Sequence, residues 1–151
     1  MRSPFTALYV HLIWATWDRL PLVTPGIRNQ VMAAMGAKCR GLGAEPVAIG
    51  LVADHAHLLA RIPPSLAVSV PAREVKGSSS HLVNHVLAPA GTFRWQGAYR
   101  AFTVSGDQVP AVKAYVENQE QHHRGGDLKA EWESRESESA DEPQGKSAGN
   151  G

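Results

Sequence analysis

The chain has 151 residues, 43% of them hydrophobic and 19% charged, with a net charge of +1; this describes one folded domain with a core of useful size and excludes a fibrous or wholly disordered protein. A single cysteine, Cys39, excludes an internal disulfide and a cysteine-rich zinc site, and fits a reducing, cytoplasmic setting. No run reaches the ~18 uninterrupted apolar residues of a membrane span, and the apolar stretch 5–17 after Arg2 lacks a small-x-small cleavage pattern, so neither a membrane span nor a signal peptide is expected.

Residues 7–17, rich in β-branched and aromatic side chains, read as a buried strand. His11 on it shares a face with Tyr9 and Ile13 and reads as a hydrogen-bonded core histidine. Residues 18–26, with Pro21 and Pro25, form a loop. Ile27, Val31, Ala34, Met35, Lys38 and Leu42 recur at helical spacing, which predicts a helix over 26–42 with Gly41 and Gly43 at its end. A second strand is predicted over 46–52, and a third over 55–62, ended by Pro63-Pro64. The short break at Asp54 suits a tight antiparallel connection.

A second helix starts with Ser69 as its cap and Pro71 in the first turn, and runs to about Val86, weakened by Gly77. Lys76 stands beside small hydroxyl residues, among them Ser79, that can approach a phosphate backbone. In the following loop Arg94 and Trp95 interleave a cation with an aromatic ring; Trp95 can stack a base or plug the core. Residues 99–105 read as a fourth strand, which carries Arg100. These five residues, Lys76, Ser79, Arg94, Trp95 and Arg100, are the candidate DNA contacts. A last helix opens on the S-x-x-Q capping-box pattern of Ser105 to Gln108 and ends before Gly125-Gly126. Its stripe of Val109, Val112, Tyr115, Val116, Gln119, His122 and His123 puts the Tyr115 hydroxyl and the Gln119 amide on one face, a turn apart. Tyr115 can equally extend the Val112/Val116 stripe into the core, but a glutamine at the centre of that stripe is harder to explain as packing.

Charge divides the chain. Residues 1–126 hold 12 basic and 7 acidic side chains, net +5; residues 127–151 hold 3 and 7, net −4. The body is compatible with nucleic-acid binding. The tail, rich in Glu, Ser, Gly and Asn, is expected to be disordered apart from a short helical extension near Trp132. The expected organisation is therefore one domain over 1–126 and an acidic tail over 127–151.

The third strand supplies the chemistry. In Asp54-His55-Ala56-His57-Leu58-Leu59 the two histidines stand two residues apart, so their side chains share one face at roughly 6.5–7 Å, a spacing at which two imidazoles can converge on one metal ion. The element order β-α-β-β-α-β followed by a helix is the α+β, ferredoxin-like plan, with a four-stranded antiparallel sheet and an added C-terminal tyrosine-bearing helix. On that plan the first and third strands are central, and the last helix can lay Tyr115 and Gln119 over His55 and His57.

These residues resemble the single-tyrosine transposases of the His-hydrophobe-His endonuclease superfamily, among them those linked to repetitive extragenic palindromes. The resemblance covers about residues 5–124. It rests on the 54–59 segment, on Trp95-Gln-Gly-Ala-Tyr99 leading to Val104-Ser105, and on Tyr115-Val-Glu-Asn-Gln119-Glu-Gln-His122-His123. It implies cleavage and rejoining of single-stranded DNA through a 5′-phosphotyrosine, with Tyr115 as the nucleophile. It further implies one divalent ion, Mg²⁺ or Mn²⁺, on His55, His57 and Gln119; DNA hairpins as partners; and a homodimer whose tyrosine helices can complete each other's sites. Asp54 stands where asparagine is common in the family, and Ala56 is smaller than the usual middle residue. A relative that binds hairpins without cleaving them is the alternative. Absence of exposed aromatics on 55–62 argues against an RNA-recognition module, and absence of Cys-x-x-Cys against a zinc deaminase.

Overall fold

The computed structural model describes residues 3–89 and 91–119, which belong to one compact unit. Strand β1 (Leu8–Ala15) is followed by a 3₁₀ turn at Trp17–Arg19, helix α1 (Pro25–Gly41), strands β2 (Glu45–Leu51) and β3 (His55–Ile62), and helix α2 (Ser69–Leu82). A π-helical turn, Val83–Leu87, extends α2 before strand β4 (Arg100–Val104) and helix α3 (Val109–Glu117). The sheet order is β2-β3-β1-β4 with every pair antiparallel, the expected ferredoxin-like α+β arrangement with β3 and β1 in the middle.

Alternation along the strands gives the two faces of this sheet different work. Val10, Leu12, Trp14, Ala56, Leu58, Ala60 and Ile62 point to one side and join Val31, Met35 and Cys39 of α1 and Ala72 and Val75 of α2 in the main core. Burial pushes the Cys39 thiol up to about 11, so it is an inert packing group. The partner residues in the register, His11, Ile13, His55, His57 and Leu59, point to the other side. There Val112, Tyr115, Val116 and Gln119 are buried, and α3 packs against β2 and β3.

One position makes that docking possible. Gly50 lies opposite His57 in the register, and a Cβ there would stand 2.2 Å from the Val116 carbonyl oxygen and 2.9 Å from Gln119 Cγ. An isolated glycine inside a strand marks such a close approach of another backbone.

Three local expectations are corrected. Ser69 is the first residue of α2 rather than its cap, which is Val68. The capping box does not form: α3 starts at Val109, with Gln108 as cap and no side-chain capping bond, and the Ser105 hydroxyl bonds the Asp107 carboxylate and holds its pKa down. The loop after β1 is partly ordered as the 3₁₀ turn, with Asp18 and Arg19 both at positive φ (53° and 54°). His122, His123, Gly125-Gly126 and the acidic tail lie outside the described residues.

Candidate active site

Five polar or phenolic side chains meet between the open face of the sheet and α3. His55 and His57 are almost wholly buried, and their ring centroids are 5.1 Å apart. The Tyr115 ring stands edge-on to His57 at 5.7 Å, interplanar angle 77°. Gln119, one turn further on, donates its side-chain N–H to the Tyr115 carbonyl at 3.1 Å. That bond orients the amide and leaves Oε1 buried with no hydrogen-bond partner among the described residues. The expected constellation of His55, His57, Tyr115 and Gln119 is thus brought together within one chain.

The imidazoles are held from behind. His55 Nδ1 lies 2.8 Å from Asp54 Oδ1, and Arg19 Nε lies 3.3 Å from the other carboxylate oxygen. A carboxylate only accepts, so His55 donates from Nδ1 and its lone pair is on Nε2. His57 Nδ1 lies 2.8 Å from Nε2 of His11, which the sequence placed in the core without a role at the site. The two rings stack at 5.1 Å with a 29° angle. The signal for His11 was present: it shares a face with Ile13, the register partner of His57.

Burial lowers the His11 pKa from 6.5 to about 4. The unfolded chain takes up this proton near pH 6.5 and the folded chain only near 4. Stability present above pH 6.5 is therefore lost as pH falls toward 4, by about 3 kcal/mol in all. Urea unfolding at pH 7 and pH 4.5 is expected to show this loss, and His11→Phe to show correspondingly less of it.

The candidate DNA contacts divide. Ser79 and Trp95 are buried and bonded to each other, Trp95 Nε1–H to Ser79 Oγ at 2.9 Å, with Trp95 edge-on to Trp14 and Phe93. They lock a loop to α2 and the core, and of the two roles open to Trp95 the ring takes that of core plug here. Lys76 Nζ–H donates to the Gln96 carbonyl at 2.6 Å, and partial burial holds its pKa below the ordinary lysine value. Arg94 lies over the exposed Trp17 ring at 4.2 Å, and both line a cleft with Lys76 and Gln96. Arg100 pairs with Ile13, on the face that carries His57, and its Nε is buried with no hydrogen-bond partner among the described residues.

The family described as "Transposase IS200 like" matches residues 4–119, which takes in every strand and helix above and all four residues of the constellation. The chain belongs to the IS200-like transposase family. No curated protein matches it. Among solved structures, a candidate transposase from Deinococcus radiodurans is similar at 27% identity, with 79% of this chain and 95% of that one covered and a TM-score of 0.62. A REP-associated tyrosine transposase, solved bound to a REP hairpin, shares the fold at 16% identity, covering 82% of this chain and 72% of that one, with a TM-score of 0.58. In this IS200-like transposase the histidines 11, 55 and 57 are buried on one face of the sheet, and His57 meets Tyr115 of the last helix. No helix among the described residues is long and apolar enough to cross a membrane.

Proposed function

We propose that this IS200-like transposase cleaves and rejoins single-stranded DNA, with Tyr115 as nucleophile and with His55, His57 and Gln119 holding one divalent ion, Mg²⁺ or Mn²⁺. The observation that carries this reading is the buried meeting of the Tyr115 ring with His57, 5.7 Å apart, beside an amide whose oxygen has no hydrogen-bond partner among the described residues. A buried acceptor left unmet costs about 1–3 kcal/mol, which a cation at Gln119 Oε1 would offset. Among the described residues no three of His, Cys, Asp and Glu group as a metal site; in this reading the third donor is the Gln119 amide. Two imidazoles and an amide oxygen leave positions for phosphate and water; the oxygen donors suit either ion, and the two imidazoles favour Mn²⁺ over the harder Mg²⁺. When bound, the ion would neutralise charge on the non-bridging phosphate oxygens.

In this reading the Tyr115 phenol gives up its proton to water and Oη bonds to phosphorus. The P–O3′ bond breaks, and the 3′ oxygen takes up a proton to leave a free 3′-hydroxyl. Attack of a 3′-hydroxyl on the phosphotyrosine reverses the step and rejoins the strand without an external energy source. Arg100 on the site face and Arg94 at the Trp17 cleft are the cations we assign to the DNA backbone; Lys76, engaged by the loop carbonyls, shapes that cleft. Because the four site residues meet within one chain, the geometry supports a site completed by a subunit's own helix in the homodimer that the resemblance implies. The hairpin on the REP-associated neighbour supports hairpin DNA as the partner class here.

The test is incubation with single-stranded oligonucleotides carrying the flanks of the chain's own gene, in Mg²⁺ or Mn²⁺. A denaturant-resistant protein adduct on the 5′ end of the downstream fragment is expected, and a chelator should remove it. Hairpin binding with no adduct in either metal would replace this reading with that of a non-cleaving relative.

A further inference from the structure

An imidazole that binds metal through one ring nitrogen is held by an acceptor at the other, which fixes both tautomer and ring orientation. His55 has a carboxylate in that place, Asp54; His57 instead meets a third imidazole. We propose that His11 is the positioning residue for His57: His11 Nε2 accepts the Nδ1–H of His57, so that the His57 lone pair lies on Nε2, the nitrogen that would ligate the ion. This rests on the metal reading above.

The placement is built into the sheet. His11 pairs with Leu59, two residues beyond His57, and is therefore its diagonal neighbour on one face. On its other side stands Phe102 of β4, its register partner, with ring centroids 6.3 Å apart. The His11 ring is buried between these strands, which limits how far it can turn. Two neutral imidazoles joined nitrogen to nitrogen share one proton, and there are only two ways to place it. If His11 donates, His57 is protonated on Nε2 and cannot ligate there. If His57 donates, both site histidines present Nε2, one backed by a carboxylate and one by a neutral ring. The second arrangement gives the two ligands unequal basicity, because a carboxylate strengthens the donor behind which it stands more than an imidazole does.

The tautomer is read in metal-free protein. Long-range ¹H–¹⁵N correlation of uniformly labelled wild type is expected to show His57 protonated on Nδ1, and His11 unprotonated on Nε2. The opposite pattern overturns the proposal. In parallel, Mn²⁺ titration followed by electron paramagnetic resonance is expected to show binding weakened about 10- to 100-fold in His11→Phe. His11→Gln, whose amide oxygen can accept the same proton, should recover most of that loss; a ring needed only for packing would not be replaced by an amide. Unchanged Mn²⁺ affinity in a folded His11→Phe, with His57 still protonated on Nδ1, also overturns it. Should the phenylalanine variant not fold, the wild-type spectrum and the glutamine variant decide. Wild type that binds no Mn²⁺ but shows the expected tautomers would sink the metal reading and this role with it, while leaving the direction of the hydrogen bond established.

Discussion

Tyr115→Phe is expected to form no covalent adduct with single-stranded DNA while binding the same hairpins as the parent chain. The substitution removes one oxygen from a side chain that is 2% exposed and keeps the ring that stands edge-on to His57. Loss of one hydroxyl changes stability by about 1 kcal/mol, too little to unfold a domain. On the proposed reading, loss of the nucleophile has no such ceiling: strand cleavage should fall by at least about 10³-fold. Gel-resolved adduct and a binding isotherm on the same oligonucleotide separate the two effects. A variant that cleaves as fast as wild type would move the nucleophile to another residue.

Gly50→Ala is expected to be nearly as damaging to cleavage, for a mechanical reason. The new methyl group would meet the Val116 carbonyl oxygen at 2.2 Å, and a backbone oxygen in a helix cannot swing aside as a side chain can. Helix α3 must rise from β2 or tilt, carrying Tyr115 and Gln119 with it. Overpacking of this kind costs about 1–3 kcal/mol of stability, and a displacement near 1 Å at a reacting group can cost about 10²-fold in rate. A lowered melting midpoint together with an approximately hundredfold loss of adduct is the expected pair of results. Full activity at an unshifted midpoint would show that α3 does not sit on β2 in the working enzyme.

How much was legible follows from what each feature depends on. His55 and His57 could be placed on one face, and Tyr115 and Gln119 on another, because strand and helix periods are properties of the backbone. Their convergence followed from the element order, which leaves β1 and β3 central. His11 was legible as buried but not as a partner of His57, since a diagonal contact depends on the register between strands 46 residues apart. Ser79 and Trp95 stayed ambiguous in the sequence because a hydroxyl and an indole serve a DNA surface or a core equally well; the packing of Trp95 against Trp14 and Phe93 is a tertiary fact. The capping box failed because residues 105–108 close a turn of their own, Gln108 N–H on the Ser105 carbonyl, so that the helix begins only at Val109. Gly50 carried a signal that went unread, a lone glycine inside a strand.

The alternation along β3 ties correct folding to chemistry in a way a loop-borne site would not. Slipping that strand by a single position would sink both imidazoles into the hydrocarbon layer under α1 and α2 and turn Leu58 outward toward α3. A misthreaded chain thus forfeits its reactive groups and its greasy interior together, so a copy able to cut DNA is a copy that has already passed the test of having folded properly.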